Sequence, residues 1–151
     1  MSMHYIRGDF RYYIVGIVPE EEGNFSAYVI DFPEVAAGGD TIEEAIESAF
    51  YGISVTLKDR IDRGMEIPKP SDMAHVIAMT KAERTEAELP YPEDTLYQYI
   101  KSPSIDMVPV KMTVTVKKWM VDAIDRIAEN EYVTRSEIIA SLMEDYIDEH
   151  E

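Results

Sequence analysis

The chain has 151 residues and no cysteine, and its 30 acidic residues outnumber its 14 basic residues to give a net charge of −16. The absence of cysteine excludes disulfides, thiolate metal sites and cysteine nucleophiles. No apolar run approaches the roughly 20 residues that span a bilayer, and no hydrophobic leader is evident, so we expect a cytoplasmic protein without a membrane partner. The acidity disfavours non-specific nucleic-acid binding and suits a basic protein partner, although it serves solubility equally well.

Strand and turn signals alternate through the first forty residues. Residues 10–18 are rich in β-branched and aromatic side chains, which predicts a strand, and residues 19–24 predict a polar hairpin connection. A second strand is predicted over residues 25–32, because Pro33 ends it, and Gly38-Gly39-Asp40 predicts a further turn. The chain is therefore predicted to begin with a β-hairpin.

A helix is predicted to begin after Thr41, because Thr41 and Glu44 have the spacing of a capping box. Apolar residues then recur every three or four positions as far as Leu57, so one face of this helix is expected to be buried. Gly52 interrupts the helix, and close approach of a neighbouring strand is the simplest explanation for a glycine there.

Residues 73–105 have the least regular pattern in the chain. Residues 74–87 predict a short helix and residues 96–100 have strand character, whereas three prolines interrupt the remainder. We interpret residues 73–105 as a connector with partial local structure between an N-terminal domain, residues 1–72, and a C-terminal domain, residues 106–151.

The C-terminal segment begins with strict alternation over residues 110–116, which predicts a strand. Two helices follow, over residues 117–129 and from a capping box at Thr134 and Glu137 onward. This segment has no second strand to pair with the first, and some forty residues bury too little apolar surface to be stable alone. We therefore expect a homodimer in which two copies pair their strands antiparallel, with a tetramer left open.

A two-stranded ribbon is one of the few elements that fit the major groove of B-DNA. On the polar face of the predicted strand, the candidates for base readout are Lys111, Thr113 and Thr115. The alternative is an ordinary amphipathic strand with a solvated face. At the starts of the two helices, the candidates for phosphate contacts are Lys117, Lys118, Thr134, Arg135 and Ser136. Here the alternative is that the Thr134 box only caps its helix.

Residues 109–147 resemble a ribbon-helix-helix repressor domain, because the alternating strand precedes two helices and Arg135-Ser136 opens the second. The proline common at the strand-to-helix junction of that family is absent, and Lys117 stands there instead. The resemblance implies a dimeric DNA-binding domain that regulates transcription as a repressor, with operator DNA as its partner.

Residues 12–71 resemble the HicB antitoxin family of toxin-antitoxin systems. The matching motifs, in order, are Pro19-Glu20-Glu21-Glu22-Gly23, Phe25-Ser26-Ala27-Tyr28, Asp31-Phe32-Pro33-Glu34-Val35, Gly39-Asp40-Thr41-Ile42-Glu43-Glu44-Ala45 and Gly64-Met65-Glu66-Ile67-Pro68-Lys69-Pro70-Ser71. Residues 35–38 depart from the family, many members of which carry a longer loop there. The resemblance implies a truncated ribonuclease H-like domain, so the expected fold class is α+β.

The HicB resemblance also implies a partner, a small basic RNA-cleaving toxin of the HicA family that the N-terminal domain masks. An acidic surface suits the basic groove of such a toxin. The candidate contacts are Glu20, Glu21, Glu22, Asp31, Glu34 and Asp40. For Glu20–Glu22, a solvated hairpin tip is an equally good explanation.

The sequence predicts no enzyme, no cofactor and no metal site. Two-metal nuclease chemistry needs several converging carboxylates, and Asp31 and Asp40 form no recognisable set with a later acid. His4, His75 and His150 are scattered and are interpreted as incidental surface residues. The leading hypothesis is an antitoxin that neutralises its toxin sterically and represses its own operon. The alternatives are a ligand-sensing ribbon-helix-helix repressor without a toxin partner and a metal-dependent nuclease.

Overall fold

The structure, a computed structural model, describes residues 9–151. Within that range the chain divides into two compact units, one ending at Val110 and the other beginning at Lys111. The first unit has the order β1 (Tyr12–Pro19), β2 (Phe25–Tyr28), β3 (Ala37–Gly39), α1 (Ile42–Asp62), α2 (Met73–Glu86), β4 (Leu96–Lys101) and a one-turn 3₁₀ helix (Ile105–Met107). The second unit contains α3 (Lys118–Glu131) and α4 (Arg135–His150). The expected α+β class is confirmed.

The four strands form one antiparallel sheet with the order β3-β2-β1-β4. The central strand β1 is buried on both faces, which explains its nearly continuous apolar sequence. Tyr13, Val15 and Ile17 point into the core that α1 covers. On the other face α2 approaches so closely that a β-carbon at Gly16 would lie 3.2 Å from Thr80 Oγ1. The first unit is therefore a sheet between two helices.

The hairpin and the first helix agree with the sequence predictions in most respects. β2 is shorter than predicted, because the chain turns after Tyr28 and Phe32 N donates to Val29 O. Thr41 caps α1 by accepting a hydrogen bond from Glu44 N at 3.1 Å. The Glu44 carboxylate accepts from Asp40 N, one residue before the expected donor, at 2.8 Å.

Three predictions for the first unit are corrected by its packing. Gly38-Gly39-Asp40 was predicted as a turn, but its two glycines belong to the edge strand β3 (Ala37–Gly39), which pairs with β2. Gly52 faces a loop residue and not a strand: a β-carbon at Gly52 would overlap Val35 Cγ1. Residues 73–105, interpreted as a connector, lie within the first unit. The helix and strand predicted there are present, and both pack on β1.

The second unit has the two predicted helices, separated by a turn in which Tyr132 adopts the left-handed conformation at φ 56°. The capping box of α4 is complete: Thr134 Oγ1 accepts from Glu137 N at 3.1 Å, and Glu137 Oε2 accepts from Thr134 N at 2.6 Å. Residues 111–117 lie outside every helix and strand of the single chain. A strand is defined by its pairing, so the predicted strand remains a prediction about two chains.

Candidate functional site

The segment before α3 exposes an apolar row and a polar row. The side chains of Val110, Met112, Val114 and Val116 are between 50% and 68% exposed in the single chain. Between them Lys111, Thr113 and Thr115 are also exposed. Four large apolar side chains in a row, beside backbone groups that have no partner within residues 9–151, are unfavourable in water unless another surface covers them. The described part of the chain therefore leaves this segment uncovered.

Helix α4 exposes a second apolar surface within the same unit. Its members line one open groove and are Ile139, Leu142, Met143, Tyr146 and Ile147. These positions recur every three or four residues, as on the buried face of a packed helix. This groove also needs a cover that the single chain lacks in its described part.

The start of α4 has donors of two kinds. The backbone N–H groups of Arg135 and Ser136 occupy the first two helical positions, where no intrahelical carbonyl is available. Neither donates to an acceptor within residues 9–151, so both can bind an anion. The Arg135 guanidinium, by contrast, makes a bidentate pair with Asp125 of α3, with both N–O distances 2.8 Å. The hydrogen bond from Arg135 lowers the pKa of Asp125, and the same bond raises the pKa of Arg135. Asp125 therefore stays ionised, and the pair intact, to lower pH than an ordinary aspartate would allow.

The two lysines at the start of α3 differ in their partners. Lys118 Nζ lies 2.7 Å from Asp122 Oδ2, one helical turn away. Lys117 is the N-cap residue, and its carbonyl accepts from Met120 N at 3.0 Å while its side chain is exposed. Of the predicted phosphate contacts, Arg135 and Lys118 are thus already paired with α3 carboxylates, whereas the Lys117 side chain has no partner within residues 9–151.

Glu20, a predicted toxin contact, has an intramolecular partner that sequence reasoning missed. Its carboxylate is paired with Arg84 of α2, whose side chain is only 1% exposed. Arg84 also donates to Pro90 O at 2.7 Å and lies over the ring of Tyr28. Burial alone would lower the pKa of Arg84, but its hydrogen bonds to Tyr28 and Glu20 raise it on balance. The available signal was the spacing of Arg84 after Val76 and Thr80, which places it on the inner face of α2.

Two more of the predicted toxin contacts have structural partners. Asp31 accepts hydrogen bonds from Ser71 N at 3.0 Å and from Ser71 Oγ at 2.5 Å. Glu34 accepts from Arg60 Nη2 at 2.8 Å and 3.2 Å. The carboxylates of the remaining candidates are exposed and make no hydrogen bond or ion pair within residues 9–151; these candidates are Glu21, Glu22 and Asp40. The six predicted carboxylates therefore do not form a single free acidic surface.

The other chemistry predicted from the sequence concerns histidines and metals. His75 is exposed on α2, and His150 stacks on Tyr146 with ring centroids 4.1 Å apart. His4 lies outside the described residues. Within residues 9–151, no three histidine, aspartate or glutamate side chains converge as a metal site would require. None of the helices described is both long enough and apolar enough to span a bilayer.

Comparisons with known proteins agree with this geometry. The family model described as "HicB_like antitoxin of bacterial toxin-antitoxin system" matches residues 13–143, which include parts of both units. A search of curated proteins gave no match. The antitoxin HicB of Burkholderia pseudomallei is similar with a TM-score of 0.52 and 16% identity, over 93% of this chain and 99% of that one. A chain of a toxin-antitoxin complex from Streptococcus pneumoniae is similar with a TM-score of 0.55 and 19% identity, over 91% and 99%.

These two structural similarities show a shared fold. Because the family model covers most of the chain, the sequence match shows the family as well. The chain belongs to the HicB-like antitoxin family of bacterial toxin-antitoxin systems.

Proposed function

We propose that this antitoxin neutralises a small basic RNA-cleaving toxin of the HicA type with its first unit and represses its own operon with its second. The observation that carries the DNA-binding half is the segment 110–116, where an uncovered apolar row alternates with Lys111, Thr113 and Thr115. The similarity to a chain of a toxin-antitoxin complex supports the toxin partner. We further propose that the first unit is ribonuclease H-like and the second is ribbon-helix-helix.

Dimerisation follows from the uncovered surfaces of the second unit. Two copies that pair residues 110–116 antiparallel satisfy each other's backbone donors and acceptors. The same pairing turns the four apolar side chains toward the α4 grooves of both copies, so one interface covers both incomplete surfaces. The polar face of the ribbon is then directed outward, where lysine donates to guanine acceptors and threonine offers a hydroxyl and a methyl group.

Phosphate contacts would flank the ribbon. The N–H groups of Arg135 and Ser136 at the first turn of α4 and the positive end of the α4 dipole suit a phosphate, and Lys117 is exposed for a second contact. The Thr134 hydroxyl already accepts a hydrogen bond from Glu137 N, so the role of Thr134 is to stabilise the first turn of α4. The net negative charge of the chain repels the phosphates of DNA, so DNA binding depends on these local donors.

The experiment that tests the DNA-binding half is a fluorescence-anisotropy titration of the full chain against its own promoter DNA and a scrambled duplex. Lys111→Ala and Thr113→Ala are each expected to weaken operator binding by about 1–3 kcal/mol and to leave the scrambled duplex nearly unaffected, because base-edge contacts carry sequence preference. Lys69→Ala is the matched control, since it removes one exposed cation from the first unit. If both variants still preferred the operator to the scrambled duplex as strongly as the parent, the ribbon would not be the element that contacts the bases.

Arg135→Ala is expected to weaken binding to operator and scrambled DNA alike and to lower the slope of log K against log salt by about 1. The substitution keeps the backbone N–H groups but leaves the Asp125 carboxylate without its cation beside the phosphate site, and phosphates are common to all sequences. Asp125→Asn is the control, because it breaks the ion pair with Arg135 but keeps the cation. Salt titrations of both variants distinguish a phosphate contact from a contact that only joins α3 to α4. A loss confined to the operator in Arg135→Ala would contradict the phosphate role.

A further inference from the structure

Helix α1 has two parallel rows of side chains with opposite environments. The inner row, at four-residue spacing, is buried in the core and comprises Ala45, Ala49, Ile53 and Leu57. The outer row has the same spacing on the opposite side of the helix and comprises Glu43, Glu47, Tyr51 and Val55. Tyr51 is 71% exposed, and Phe50 beside it is 43% exposed. The outer row thus combines carboxylates at one end with large apolar side chains at the other.

At the end of the outer row that carries Glu43 and Glu47, the charge on α1 has one sign. Residues 12–57 contain nine carboxylates and no lysine or arginine. The first cation along α1 is Lys58, and its ammonium group is held 2.9 Å from Asp62 Oδ2. Glu43 and Glu47 are exposed, and Asp40 lies just before the helix, where it is also exposed. A surface that approaches the outer row therefore meets carboxylates that have no neighbouring cation on this helix.

An exposed aromatic side chain next to charged residues is a common feature of protein-binding surfaces. Adjacent exposed apolar side chains within a charged surround also mark such surfaces. The carboxylates of the outer row would repel a nucleic acid. A second copy of this chain would bring the same carboxylates face to face, which is unfavourable. The chemistry fits a protein that presents an apolar contact with lysines or arginines on one side of it.

We propose that the outer row of α1 is the docking surface for a basic protein, with Tyr51 as the anchor and Glu43 and Glu47 as partners for its cations. This inference rests on the proposed function, in which the partner is a basic toxin. Tyr51 offers its ring to apolar groups and to cations, which interact favourably with an aromatic face. The surface differs from the acidic hairpin that the sequence suggested, where Glu20 is already engaged by Arg84.

The test uses the full chain and, as probe, a catalytically inactive form of the HicA-type toxin encoded beside its gene, with Kd measured by calorimetry. Tyr51→Ala and Glu47→Lys are each expected to weaken toxin binding about 30-fold or more, the effect of losing a central contact. Tyr51→Phe is expected to bind nearly as well as the parent. Two matched controls, Tyr99→Ala on β4 and Glu86→Lys on α2, replace an exposed tyrosine and an exposed glutamate elsewhere and should change Kd less than about threefold.

The outcomes separate this inference from the function on which it rests. If the parent binds the toxin and both outer-row variants bind equally well, the docking surface is wrong and the proposed function stands. If Glu86→Lys weakens binding as much as Glu47→Lys, general charge attraction explains the loss and the surface is again wrong. No toxin binding by the parent would overturn the proposed function and this inference together. A change in oligomeric mass with Tyr51→Ala would assign the outer row to contacts between copies and overturn the proposal.

Discussion

Replacement of Val114 by proline is expected to convert the full-length protein from dimer to monomer and to reduce operator binding to the non-specific level, about 10³-fold weaker or more. Val114 lies in the middle of the exposed apolar row before α3. Proline removes a backbone donor and fixes φ near about −65°, far from the φ of about −140° of a paired antiparallel strand, so it disfavours the ribbon at this position. Light scattering measures the mass, and anisotropy with promoter DNA measures the affinity.

The control for this prediction is Val114→Ile, which keeps the backbone N–H and the β-branched shape and should retain both the dimer and the affinity. A proline variant that remains dimeric and binds the operator like the parent would show that residues 110–116 do not pair. DNA binding, the second half of the proposed function, would then require a different surface for the contacts to bases.

Replacement of Arg84 by alanine is expected to lower the free energy of unfolding of the first unit by about 3–5 kcal/mol, the usual cost of removing one partner from a buried ion pair. The Arg84 side chain is almost completely buried and joins three elements: Glu20 after β1, Tyr28 at the end of β2 and Pro90 before β4. Without it the Glu20 carboxylate and the Pro90 carbonyl lose their donor. Urea unfolding monitored by circular dichroism measures the change.

Arg63→Ala is the matched control for Arg84→Ala. Arg63 is also paired with a carboxylate, Asp59 one turn earlier, but its side chain is 68% exposed. Water screens such a pair, so its loss is expected to change stability by less than about 1 kcal/mol. Equal effects of the two substitutions would mean that the Arg84 cluster does not stabilise the fold as its burial indicates.

The features that the sequence alone determined are those that depend on neighbours within a few positions. The starts of α1 and α4 follow from Thr41 and Thr134, because a capping threonine and the N–H group it binds lie within one turn. The buried row of α1 follows from the helical period in the same way. Local patterns likewise predict helix α2 and strand β4 as elements, but they do not predict that both pack on β1.

Only the tertiary structure decided which distant residues meet. The glycine-rich residues 37–39 form a strand because β2 provides hydrogen-bond partners, which outweighs their low strand propensity. Residues 73–105 join the first unit because the exposed face and edge of β1 require a helix and a strand to cover them. Glu20 is paired with Arg84, 64 positions away, and Arg135 is paired with Asp125, 10 positions away. Contacts across such separations depend on how the chain folds back on itself, and no local pattern encodes them.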